Sequence, residues 1–174
     1  MPGYKSASLN QLALIALKEN RLEEAGEYVM DAGLYNGLDI NIYKTATVIA
    51  RLRGDESGYK MILQRLLTID PLCHFAAFER HFSVRDSITK NAFTSKITSE
   101  LNYETYIELA LWYFNAGLEN EASIVLELCP ENPLADYLSG YLAHRRKDEK
   151  KSYSYLDRAN KATDELVFPF RGEY

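Results

Sequence analysis

The chain has 174 residues, 47% hydrophobic and 26% charged, with only nine glycines and five prolines. That balance excludes a disordered chain and a membrane-spanning bundle, and so little Gly and Pro disfavours a turn-rich β-sandwich. A net charge of −5 argues against nucleic-acid binding, which needs a basic face to displace counterions from phosphates.

The first apolar run, Leu9 to Leu17 (LNQLALIAL), has the length of a signal-peptide core. Asn10 and Gln11 interrupt it, no small-residue cleavage site follows, and it passes straight into a charged helix, so it reads as a retained helix. The opening Met1-Pro2-Gly3 is expected to be the edge of a fragment cut from a longer protein.

Self-similarity organises the rest. Asp70-Pro71 closes an amphipathic stretch, LLTIDP, as Pro closes a 34-residue tetratricopeptide (TPR) unit. Counting back from it opens a unit at Ile40, and one further step back opens another at Ser6. The first unit then carries Leu9, Leu12, Ala13, Ala16, Ala25, Val29 and Ala32 at the positions where TPR helices pack. The second carries Tyr43, Ala46, Thr47, Ala50, Tyr59, Leu63 and Leu66.

Residues from about 72 to 100 form a degenerate pair, HFAAFERHF followed by SITKNAFTSKI. A clear unit resumes at Tyr103 with Tyr106, Leu109, Ala110, Tyr113, Ala122, Leu126 and Cys129. The last opens at Pro133, with Gly140, Ala143, Leu156 and Ala159 in place but Asp136 and Ser152 off pattern. The expected architecture is an all-α, TPR-like superhelix of five helix pairs in one domain, 1–174. Its repeats run at about 6–39, 40–71, 72–100, 103–132 and 133–163, and 164–174 forms a non-helical terminal segment.

Each pair is two amphipathic helices and a tight turn, at Lys18 to Arg21, Arg53 to Asp55 and Ala116 to Leu118. Small residues let paired helices approach closely, and larger ones fill the layer between pairs. A lone pair cannot bury its apolar face, so neighbours stack. The packing set is Ala13, Ala25, Tyr43, Ala46, Ala50, Tyr106, Ala110, Ala122, Gly140 and Ala159. Thirteen tyrosines suit such layers, where the ring packs and the hydroxyl reaches water or a partner.

Three stretches together, LLTIDPLCHFAAFERHF, YETYIELALWYFNAGLENEASIVLEL with CPENP, and the closing LVFPFR, resemble a narrower group. They are similar to the C-terminal TPR region of large Bacteroidetes proteins whose N-terminal part is a β-rich, mutarotase-like domain of unknown function. The resemblance spans roughly Leu12 to Arg171 and is strongest after Asp70. It implies that the repeat is an appendage of a larger protein, and it brings no catalytic residue with it.

No constellation points to an enzyme, and no catalytic residue, metal or cofactor is expected. His74 and His81 share a helical face with Glu79 nearby, but a third or fourth zinc ligand is missing. Cys73 and Cys129 form neither a CxxC pair nor a disulfide framework, and no Asn-x-Ser/Thr sequon occurs, so a reducing, cytoplasmic setting is expected. The stretch from Gly54 to Lys60 lacks phosphate-loop spacing and a preceding strand. Arg145 to Lys151 is a charge run at a turn, blunted by its own carboxylates.

The expected function is a non-catalytic protein-interaction scaffold whose concave groove, lined by the first helix of each pair, grips a partner protein. The groove candidates are Lys44, Val48, Arg51, Glu104, Ile107, Glu108, Leu111, Phe114, Tyr137, Tyr141, His144 and Arg145. The alternatives are intramolecular docking on a β-rich carbohydrate-active domain of the parent protein, and homodimerisation. Asn10 and Leu14 replace the Lys and Asn of carboxylate-gripping TPR domains, which disfavours chaperone-tail binding. Tyr137, Tyr141 and Trp112 are equally suited to pack against the terminal VFPFRGEY, where Phe168 and Phe170 would cap the last pair. No nucleic-acid or membrane partner is expected.

Overall fold

The computed structural model describes residues 2–98 and 101–162, which form ten α-helices and no strand. The sequence reads as one domain; the helices gather into two compact units, Met1–Lys96 with Asn115–Gly117, and Ile97–Phe114 with Leu118–Tyr174.

The first unit holds α1 (Pro2–Lys18), α2 (Leu22–Tyr35), α3 (Ile40–Leu52), α4 (Glu56–Ile69), α5 (His74–Val84) and α6 (Ser87–Thr94). α1 and α2 pack through Ala13, Ala16, Ala25 and Ala32, all fully buried. Alanine-on-alanine contact costs no side-chain entropy and brings the two backbones close. In the next pair, Thr45 and Thr47 are fully buried. Their hydroxyls donate to the carbonyls of Asn41 (3.0 Å) and Tyr43 (2.7 Å) one turn back, so neither is left unsatisfied. Tyr59 stands where TPR units usually have Ala. Its hydroxyl crosses to donate to the carbonyl of Glu79 on α5 at 3.0 Å. The α5–α6 pair is held by Phe78 and Phe93, both fully buried, with ring centroids 5.5 Å apart in an edge-to-face pose.

The second unit holds α7 (Asn102–Asn115), α8 (Glu119–Glu127), α9 (Pro133–Arg145) and α10 (Glu149–Lys161). Ala110, Ala122 and Val125 are fully buried, as is the large side chain of Tyr113. The close contact of α9 with α10 is made at Gly140, where a Cβ would lie 3.1 Å from Leu156 and 3.4 Å from the carbonyl of Ser152. The two off-pattern residues of this unit occupy buried slots all the same. Ser152 is buried against α9, and the buried carboxylate of Asp136 accepts from Nε of Arg158 at 2.7 Å.

Each helix pair turns on one left-handed residue: Asn20, Gly54, Arg85, Gly117 and Lys147. At four of these turns, an N–H reaches back five residues: Arg21 to Ala16, Asp55 to Ala50, Leu118 to Tyr113 and Asp148 to Ala143. This is the Schellman closure of a helix end. Aspartates then cap the following helices, with Asp55 accepting from Gly58 N–H (2.8 Å), Asp86 from Thr89 (2.7 Å) and Asp148 from Lys151 (3.1 Å).

Six frame positions depart from a fully buried layer, Leu9, Cys129 and Leu156 among them as half-buried residues. Leu12 is 43% exposed, and Tyr43 and Ala46 are half-buried. The Tyr43 hydroxyl donates to the carbonyl of Gly37 (2.8 Å), so it braces the α2–α3 loop.

Candidate functional site

The groove candidates of the first unit are drawn into its interior. Val48 is fully buried and cannot line an open surface. Arg51 is committed within the fold: its Nε lies 3.0 Å from Glu79 Oε2, and its guanidinium lies 4.7 Å from the Phe82 ring centroid. Both placements correct the sequence reading. The cause is Glu79, a carboxylate on the apolar face of α5 that is fully buried and takes its counter-charge from α3. Lys44 remains half-exposed.

In the second unit, Ile107 and Leu111 are likewise buried, which corrects their assignment to the groove. α7 is apolar around most of its circumference, and such a helix belongs to the interior. Glu104 is half-buried and Glu108 exposed.

The open candidates converge instead on α9. Tyr137 and Tyr141 are one turn apart and 42% and 47% exposed. Tyr141 meets Phe114 edge to face, with centroids 5.9 Å apart. The Arg145 guanidinium lies 5.4 Å from the Phe114 centroid and 6.0 Å from that of Tyr141, while Nη2 is 2.8 Å from Glu119 Oε1. Tyr137 donates its hydroxyl to Asn160 Oδ1 at 2.7 Å, which fixes the ring while leaving a face open. His144 is exposed and 3.0 Å from Glu149. The result is an aromatic–cationic surface with its side chains already ordered, so a ligand would freeze few rotamers on binding. The terminal segment 164–174, with Phe168 and Phe170, lies outside the described residues.

Among the described residues no group of three or more His, Cys, Asp or Glu side chains is placed to hold a metal ion. His81 Nδ1 is 3.3 Å from the Thr89 hydroxyl, and burial holds the pKa of His74 and of His81 below the usual histidine value. Burial also pushes the Cys73 thiol up and, with the charge of Asp136 adding to it, that of Cys129 up to about 12. Neither is an activated thiol. The Gly54–Lys60 stretch is the end of a helix–helix turn, with Gly54 at φ +72° and Asp55 as the N-cap, followed by the first residues of α4. No helix among the described residues is long and apolar enough to cross a membrane.

Sequence reasoning missed the pairing of two buried carboxylates, Glu79 with Arg51 and Asp136 with Arg158. The signal was present in each case: Glu79 interrupts an aromatic run, and Asp136 occupies a frame position that is otherwise apolar.

No protein-family model matches the chain, and no curated protein matches it. Among solved structures it is similar to that of PilF from Pseudomonas aeruginosa, at 11% identity over 93% of this chain and 78% of that one, with a TM-score of 0.52. It is also similar to MamA (41 to end) from Desulfovibrio magneticus RS-1, at 14% identity over 97% of this chain and 100% of that one, with a TM-score of 0.46. The likeness to PilF shows the fold, an all-helical TPR-like repeat.

Proposed function

We propose that this chain is a non-catalytic protein-interaction scaffold and that its second unit receives a partner segment on the α9 surface. The observation that carries the reading is the ordered cluster of Phe114, Tyr141 and Arg145 with Tyr137 beside it. Aromatic residues and arginine concentrate binding energy because they offer large, semi-rigid area with a polar handle. The cation is balanced by Glu119, so the surface suits a mixed apolar and polar segment rather than a strongly charged one. The test is a pull-down with the whole chain. A discrete partner should be recovered by the native protein and lost with Tyr137→Ala plus Tyr141→Ala at unchanged melting temperature. A double variant that unfolds makes those tyrosines core, and the assignment fails.

A second reading, docking onto a β-rich domain of the same polypeptide or onto a second copy, is favoured by α1. Its outer face carries Tyr4, Leu12 and Ile15, all exposed, and between Tyr4 and Lys18 the helix has a single charged residue, Lys5, which is held against Tyr35. Sedimentation across a wide concentration range tests the second-copy form: a single monomeric species throughout rules it out.

A further inference from the structure

We propose that a notch on the first unit, walled by α4, α5 and the start of α6, is a docking site for an acidic segment of a partner protein carrying an apolar anchor residue. The site is independent of the α9 surface and differs from it in charge preference. It begins with how α6 is held. Phe93 fixes that helix to α5 through Phe78, and a cavity of about 380 Å³ remains beside α4. Leu63 and Leu67 of α4 and Val84 of α5 form its apolar walls. Tyr59 adds its ring, because its hydroxyl is already spent on the Glu79 carbonyl. Val84 is 59% exposed, and the neighbouring Ile88 is more exposed still.

Charge selects the occupant. Among the described residues, the two ionised side chains that line the notch are both cations, Lys60 from α4 and Arg80 from α5; the nearby Asp86 carboxylate is outside the lining and is taken up by the Thr89 hydroxyl at 2.6 Å. This stands out in a protein of net charge −5. Lys60 has Glu56 at 3.3 Å, but both ends of that pair face water, where such a contact is worth little and is readily exchanged. A carboxylate set between Lys60 and Arg80 would meet two donors at once, at the rim of a desolvated apolar floor that strengthens both contacts. The cavity is near the small end of the roughly 300–1,000 Å³ range of ligand pockets. That volume fits one or two apolar side chains of a segment lying across it.

The experiment is an amide-resolved NMR titration of the whole chain with a blocked hexapeptide, Glu-Asp-Leu-Phe-Asp-Glu, and with its counterpart in which every acid is Lys. The acidic peptide should give saturable shifts at Leu63, Leu67 and Val84. Lys60→Glu with Arg80→Glu should weaken it by about tenfold or more, as like charges at a docking rim do. Arg80→Gln, the milder change, should fall between, and melting curves run alongside show that each variant is folded. The proposal is overturned by no shift, by an equal response to the basic peptide, or by undiminished binding to the charge-reversed variant. It is also overturned if decanoate alone moves those amides, since the site would then take a free amphiphilic carboxylate. Shifts confined to Tyr137 and Tyr141 would support the α9 surface while overturning this one.

Discussion

Arg51 and Glu79 form a deeply placed ion pair of the first unit, joining α3 to α5 with Nε 3.0 Å and Nη2 3.4 Å from the two carboxylate oxygens. The carboxylate is fully shielded from water and the guanidinium mostly so. A pair like this is weak evidence of stabilisation, because two desolvation costs offset the attraction, yet removing one partner strands the other.

Arg51→Ala should therefore destabilise the chain by about 3 kcal/mol, the low end of the range for removing one partner of a buried ion pair. Arg51→Met with Glu79→Leu should cost much less than Arg51→Ala alone. Urea unfolding of the two variants checks both. A double variant as unstable as the single one would mean that packing, and not charge, sets the cost.

Ala122 is fully buried on α8. Ala122→Leu should cost about 1–3 kcal/mol through overpacking, a fall of roughly 2–12 °C in melting temperature for a chain of this size. Ala25→Leu, at the equivalent fully buried place on α2, should behave alike. An unchanged thermal midpoint in either would contradict the close helix contact.

His74 and His81 are both held below the ordinary histidine pKa of 6.5, mainly by burial. The unfolded chain therefore binds protons more readily than the folded one just below that value, and stability should rise with pH through this range. Conversely, stability is at its full value above about pH 7 and is lost as pH falls through 6.5 and below, ahead of the carboxylates, which titrate near pH 4. Thermal melts from pH 7.5 to 5.5 should show a decline that His74→Gln with His81→Gln flattens. An identical slope in the variant would reject the assignment.

Cys129, with its thiol pushed up to about 12, and Cys73, raised by burial, should be almost wholly protonated at pH 8. Reaction with a disulfide reagent should be slow in the native chain and fast in denaturant, since the thiolate is the attacking form. Fast native labelling of either residue would show that its pocket opens readily.

Much of the architecture was legible because TPR packing repeats a short-range rule. The alanines at 13, 16, 25 and 32 recur at helical spacing, and the turns at Asn20 and Gly54 are one 34-residue step apart. Both features depend on residues close in the chain, so periodicity alone exposes them. The candidate surface was legible only in part, since a frame position names the side of a helix and says nothing of what lies against it. Tyr137 and Tyr141 came out open and Val48, Ile107 and Leu111 buried, although all five share the same set of groove positions.

What the sequence determined by itself was the all-helical class, the places of the turns and the small residues at the helix contacts, because local propensity and spacing decide these. The tertiary structure alone decided that Glu79 would draw Arg51 inward and that Asp136 would be matched by Arg158. It alone also left the notch beside α4 with two cations at its edge. Those outcomes join residues about 20 to 30 positions apart, and burial energies that no single helix carries select among the available partners.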